Sequence, residues 1–180
     1  MNLSDFTFDL PERLIAQEPL GERDSSRLMM VSRKDRAIAH GSFTDFPGRL
    51  REGDLLVLND TRVIPTRLLG VKPTGGKVEL LLVEKLSSKN AAEEWKCLAK
   101  PAKGLKPGTK ALFGGVEAEA IGQDDEGLFL FRFSCPLDLE RVGKVPLPPY
   151  IKREALEEDS RRYQTVFAGV DGAVAAPTAG

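Results

Sequence analysis

Two short stretches of this 180-residue chain gather side chains able to hold and polarise a ligand. Asn59-Asp60-Thr61-Arg62 sets an amide, a carboxylate, a hydroxyl and a guanidinium in four consecutive residues. Asp60 can anchor a polar ligand group, and the planar fork of Arg62 suits a carboxylate or a phosphate. The plain alternative is a strand end at which Asn59 and Asp60 bond their own backbone. Arg67, five residues beyond Arg62, can extend the same surface. The second stretch is Arg161-Arg162-Tyr163-Gln164-Thr165, where Arg holds anions, Tyr stacks and donates, and Gln reads amide or base edges. Its alternative is a solvated helix face, because Glu157, Glu158, Asp159 and Arg161 have the spacing of paired helical charges.

Tyr150 follows three prolines in four residues, Pro146, Pro148 and Pro149. Proline fixes φ and removes a donor, so this stalk is neither helix interior nor central strand. It can present Tyr150 as a stacking platform for a base, or place it as a core aromatic. Between Trp95 and Lys110 stand five lysines, at 96, 100, 103, 106 and 110, and no acid. Lys96, Lys100, Lys103, Lys106 and Lys110 therefore form either a solvated loop or a face for phosphates. Pro177-Thr178-Ala179-Gly180 can close a pocket wall with backbone donors, but Gly172–Gly180 matches neither a phosphate loop nor a dinucleotide fingerprint.

The elements that must position these residues differ along the chain. Leu10 to Ala16 reads as a short helix entered through Pro11. Arg27–Val31 and Ile38–His40 flank the polar turn Arg33–Arg36 as a hairpin, and Phe43–Leu50 makes one or two helical turns. Asp54–Leu58 reads as a strand covered on both faces, ending at Asn59, where open α/β sheets place ligands. From about 66 to 145 the texture becomes about five short strands with turns, V-E-A-E-A-I and F-L-F-R-F alternating as half-buried strands do. That pattern points to a small antiparallel barrel. The fold class is thus α/β plus all-β, with a discontinuous α/β outer domain (1–65 and 146–180) and an inserted β-barrel (66–145). The apolar, uncapped end at Ala173–Gly180 is expected to continue into more protein that completes the outer domain.

Composition narrows the function classes. With 41% hydrophobic and 29% charged residues the chain is ordinary for a globular protein. A net charge of −1 argues against nonspecific coating of nucleic acid. No apolar run reaches the ~20 residues of a membrane span, and Asp5, Asp9 and Glu12 are unlike a signal peptide, so a cytoplasmic location without membrane partners is expected. Cys97 and Cys135 are read as free thiols, the lone His40 as structural or half-exposed, and no metal site is expected.

Taken in order, F-D-L-P-E-R-L-I-A-Q-E-P-L (8–20), R-D-S-S-R-L-M (23–29), H-G-S-F (40–43), G-D-L-L-V-L-N-D-T-R-V-I-P-T-R-L (53–68), G-G-K-V-E-L-L-L (75–82), V-P-L-P-P-Y-I (145–151), R-Y-Q-T-V-F-A (162–168) and G-A-V-A-A-P-T-A-G (172–180) resemble one family. The chain closely resembles, over residues 3–180, the S-adenosylmethionine:tRNA ribosyltransferase-isomerases of queuosine biosynthesis. The resemblance implies transfer and isomerisation of the ribosyl part of S-adenosylmethionine onto the aminomethyl-deazaguanine wobble base of a tRNA with a GUN-type anticodon. Epoxyqueuosine forms, and adenine and methionine leave. It further implies S-adenosylmethionine as co-substrate, no bound cofactor and a monomer. Asp60, Arg62 and Arg162 become the candidate catalytic residues. Asn59, Thr61, Arg67, Tyr150, Tyr163, Gln164, Pro177 and Thr178 become substrate-binding candidates, and the five lysines tRNA-binding ones. No residue of the chain is a convincing general base. The rival reading is a non-catalytic RNA-binding barrel; a methyltransferase is disfavoured because no glycine-rich turn follows an early strand.

Overall fold

The computed structural model describes residues 2–89 and 91–177. The chain divides into two compact units, Met1–Leu58 with Pro149–Arg153, and Asn59–Pro148 with Glu154–Gly180.

The first unit is built from short elements. Strands β1 (Arg27–Ser32) and β2 (Ala37–Ser42) form the antiparallel hairpin expected from sequence, and Arg36 adopts a positive φ of 52° in its turn. Short 3-10 turns occupy Leu3–Phe6, Glu12–Leu14, Arg23–Ser25, Phe43–Asp45 and Pro47–Arg49. The turn at Phe43 starts because Asp45 Oδ2 accepts the Ser42 N–H at 3.0 Å while Ser42 Oγ accepts from Thr44 N at 3.4 Å. This reciprocal capping satisfies donors that a helix start leaves open. One expectation fails here. Residues 54–58 form no strand, and Leu55 and Val57 are 88% and 82% exposed. A strand needs backbone partners, and no described segment pairs with these residues. Apolar composition alone does not make a strand.

The second unit holds β3 (Thr61–Val63), β4 (Arg67–Val71), β5 (Lys77–Lys89), β6 (Ala92–Lys100), β7 (Lys110–Phe113), β8 (Val116–Gln123) and β9 (Phe129–Phe133). After them come helix α1 (Leu139–Val142), strand β10 (Gly143–Lys144), helix α2 (Asp159–Arg162) and strand β11 (Val170–Ala173). Strands β4-β5-β6-β9-β8-β7 form an antiparallel sheet closed by β4 against β7, a six-stranded barrel. The molecule is mostly strand with few, short helices, and the barrel confirms the fold class read from alternation. V-E-A-E-A-I and F-L-F-R-F do bury alternate residues. Strand β7 was not foreseen, being only four residues beside the Gly114-Gly115 turn, yet it closes the barrel.

Inward side chains fill the barrel. Leu68, Leu80, Leu82, Cys97, Phe113, Phe131 and Phe133 have no exposed surface. Phe113 meets Phe131 edge-on at 6.5 Å between ring centres, the geometry the ring quadrupole favours. The ring of Phe113 lies over Gly70, where a Cβ would come within 2.4 Å of it, so the closing pair of strands requires glycine there. Burial pushes the Cys97 thiol up, which makes it a packing group rather than a nucleophile. One acid lies among these side chains. Glu93, 4% exposed, accepts from Trp95 Nε1 at 3.1 Å and Leu137 N at 3.2 Å, and pairs with Lys85. Burial alone would raise the Glu93 carboxyl, but these bonds and the lysine charge outweigh it and hold it below its usual range.

Candidate functional site

In the second unit the two polar stretches of the sequence meet. Strand β3 runs parallel to β11, with Thr61 opposite Val170 and Arg62 opposite Asp171. Asp60 O accepts from Gly169 N at 2.7 Å and from Val170 N at 3.1 Å, and Ile64 N donates to Ala173 O at 3.0 Å. On Val63, Gln164 acts as a substitute strand: its Oε1 accepts from Val63 N and its Nε2 donates to Val63 O, both at 2.8 Å. The buried Thr165 adds a bond from Oγ1 to Asn59 O at 3.3 Å. Residues 164–173 thus clamp the backbone from 59 to 64, and side chains carried on it start from a fixed frame.

The side chains divide by what they already touch. Asn59 Oδ1 accepts from Thr61 N at 2.9 Å and from Thr61 Oγ1 at 2.6 Å, so the local turn that the sequence allowed is made. Asp60 is exposed. Arg62 lies 3.6 Å from Asp171, the two side chains 52% and 66% exposed. Exposed and beyond hydrogen-bond distance, this pair contributes little and can be traded for a ligand anion. Arg67, by contrast, is bound through two bonds to Glu79, at 2.8 and 2.9 Å, and chiefly this hydrogen bonding raises its guanidinium further. It holds the barrel wall between β4 and β5 rather than extending the surface of Arg62. Arg161 and Arg162 close α2, Arg162 half-buried, with Tyr163 and Gln164 half-buried after them. Gln164, expected to read a base edge, directs its amide to Val63. Its chemistry was legible; its long-range partner was not. Pro177 is half-buried, and Thr178 lies outside the described residues.

The lysine block is acid-free only along the sequence. Across the strands, Lys96 pairs with Glu84 at 3.0 Å and Asp124 at 3.5 Å, and Lys110 pairs with Glu117 at 2.8 Å. The hydrogen bonds to Glu84 and to Glu117 raise these two ammonium groups. Lys100, Lys103 and Lys106 are exposed at the end of β6 and in the loop to β7, and no ion pair reaches them among the described residues.

Tyr150 belongs to the first unit, 49% exposed. It lines a cleft of about 600 Å³ with Glu12, Ile15, Gln17, Lys152 and Arg153, a volume usual for small-molecule sites. Lys152 Nζ reaches Glu12 Oε1 at 2.6 Å. The sequence reading singled out Tyr150 and passed over Gln17, whose partners are more than 130 positions away. Among the described residues, no three or more His, Cys, Asp or Glu side chains gather as metal ligands, and no helix is long and apolar enough to cross a membrane.

Comparison with known proteins bears on what these sites serve. The family described as queuosine biosynthesis protein matches residues 3–180. A protein named S-adenosylmethionine:tRNA ribosyltransferase-isomerase from Syntrophotalea carbinolica is 50% identical, covering all of this chain and 53% of that protein. One of the same name from Pelobacter propionicus is 49% identical with the same coverage. The chain therefore spans about half the length of the curated relatives it matches. A crystal structure of an S-adenosylmethionine tRNA ribosyltransferase from Thermotoga maritima is 35% identical, covering 82% of this chain and 52% of that one, with a TM-score of 0.39.

Proposed function

This chain belongs to the queuosine biosynthesis protein family, and we propose from that premise that it carries part of an S-adenosylmethionine:tRNA ribosyltransferase-isomerase. The reaction moves the ribosyl group of S-adenosylmethionine to the aminomethyl-deazaguanine wobble base of tRNA and rearranges it to the epoxycyclopentanediol of epoxyqueuosine. Adenine and methionine are released. Such chemistry needs a base for the proton beside the sulfonium, donors for the charge developing on adenine, a cation for the methionine carboxylate and a basic face for RNA.

The observation that supports this reading most is the clamped 59–64 segment, which holds an exposed carboxylate and a loosely paired guanidinium on a fixed backbone. A site positioned this way loses little order when a ligand arrives. In this reading Asp60 anchors a polar group of the substrate, and Arg62 and Arg162 hold anionic groups. Tyr163 beside this segment and Tyr150 in the cleft of the first unit each offer a ring to a base, and Lys100, Lys103 and Lys106 meet tRNA phosphates. None of these residues is a convincing general base.

The test is adenine release from S-adenosylmethionine in the presence of substrate tRNA, in the protein that carries this chain. Asp60→Ala and Arg162→Ala should each reduce turnover at least tenfold, about 1.4 kcal/mol of transition-state stabilisation, with the unfolding midpoint unchanged. Wild-type turnover in both would remove these residues from the site.

A further inference from the structure

Gln17 makes more long-range bonds than its place beside a 3-10 turn requires. Its Nε2 donates to Tyr150 O at 3.0 Å and to Ile15 O at 3.2 Å, and its Oε1 accepts from Lys152 N at 2.7 Å. Its own carbonyl accepts from Arg153 Nε at 2.9 Å. One amide thus bonds the backbone on both sides of Ile151. This stretch leaves a proline-rich stalk that lacks amide donors at 146, 148 and 149. Gln17 ties down two backbone groups just after the stalk, Tyr150 O and Lys152 N.

We propose that Gln17 is the positioning residue for Tyr150. It sets the backbone of residues 150–152 so that the ring stands at the wall of the cleft, ready to receive a flat heteroaromatic group. The function follows from the bonding pattern. A glutamine amide has one acceptor and two donor hydrogens in a fixed plane, and here the acceptor and both donors are engaged at once. Leucine fills a similar volume and makes none of these bonds. Glutamate keeps an acceptor for Lys152 N but sets carboxylate oxygen against the carbonyls of Tyr150 and Ile15. The bond that either replacement removes at Tyr150 runs to its backbone carbonyl, so the expected change at the ring comes through the backbone. The inference rests on the stacking role given to Tyr150 above.

Two measurements separate the inference from that role. The chain has two tyrosines, Tyr150 and Tyr163; in the protein that carries it, their signals after 3-fluorotyrosine incorporation are assigned with Tyr150→Phe and Tyr163→Phe. In Gln17→Leu and in Gln17→Glu the Tyr150 signal should shift toward that of free fluorotyrosine and narrow, while the Tyr163 signal stays in place. The second measurement is the affinity for substrate tRNA. Tyr150→Ala should weaken it between about fivefold and a hundredfold, the range of one base–aromatic stack. Gln17→Leu should lose part of that factor, and the double variant should bind no worse than Tyr150→Ala alone. An unmoved Tyr150 signal, or losses that simply multiply in the double variant, would overturn the assignment of Gln17. A moved signal with wild-type affinity in both Gln17→Leu and Tyr150→Ala would instead overturn the stacking role of Tyr150.

Discussion

Removing Lys100, Lys103 and Lys106 together should flatten the salt dependence of tRNA binding without altering which tRNA is preferred. The magnitude follows from the ion pairs. Of the five lysines between 96 and 110, Lys96 is held by Glu84 and Asp124 and Lys110 by Glu117. A lysine already neutralised by a carboxylate releases few counterions on meeting a phosphate, so three contacts remain. At roughly 0.7 to 0.9 of slope per neutralised phosphate, the triple alanine variant should lose about 2 to 3 from the slope of log affinity against log salt. Between 50 and 200 mM salt that difference amounts to about twenty- to fortyfold in affinity. Phosphate contacts position RNA and do not read its sequence, so modified and unmodified tRNA should weaken alike. The assay is a salt titration of tRNA affinity for wild type, the triple variant and Lys96→Ala/Lys110→Ala. An unchanged slope in the triple variant would refute the reasoning. So would an equal loss of slope in the double variant, since that would mean the ion pairs do not shield their lysines.

Two further outcomes follow from packing and titration. Gln164→Leu leaves the N–H and C=O of the buried Val63 without the glutamine amide, and each buried group left unpaired costs about 1–3 kcal/mol; denaturant unfolding should show this loss, and an unchanged midpoint would mean Gln164 does not clamp β3. Because the folded structure holds the Glu93 carboxyl below its ordinary value of 4.5, the folded state takes up this proton later than the unfolded chain. Its contribution is therefore complete above about pH 4.5 and is lost as pH falls through the folded pKa. Glu93→Gln should flatten this acid limb in unfolding followed from pH 6 to 3, and an unaltered limb would assign it to other carboxylates.

The barrel was legible because its signal is local. Alternation in V-E-A-E-A-I and F-L-F-R-F needs no knowledge of partners, and the polar turn Arg33–Arg36 marks its hairpin by itself. What escaped was pairing across distance. Glu84, Asp124 and Glu117 lie outside the lysine block in sequence but beside it in space. Gln164 carries the chemistry of a base reader, yet its partner is a backbone 101 positions earlier. For Asp54–Leu58 the apolar run was read as a covered strand, but periodicity cannot supply neighbours. Asn59–Arg62 and Arg161–Thr165 were singled out separately by residue type, and nothing in the sequence said that the segments pair as β3 with β11 do.

The pairing of β10 with β4 has a consequence for how this chain can change over time. Gly143 lies opposite Leu68 and Lys144 opposite Arg67, and a Cβ on Gly143 would fall 1.8 Å from Pro65 O. The β4–β10 pair is thus laced by antiparallel bonds and too tight for any side chain at 143. Hairpins away from this contact can lengthen, shorten or drift in sequence while β4 and β10 stay in register. Mutational tolerance should therefore be graded: generous at the tip of β8–β9, and close to nil where Pro65 and Gly143 touch.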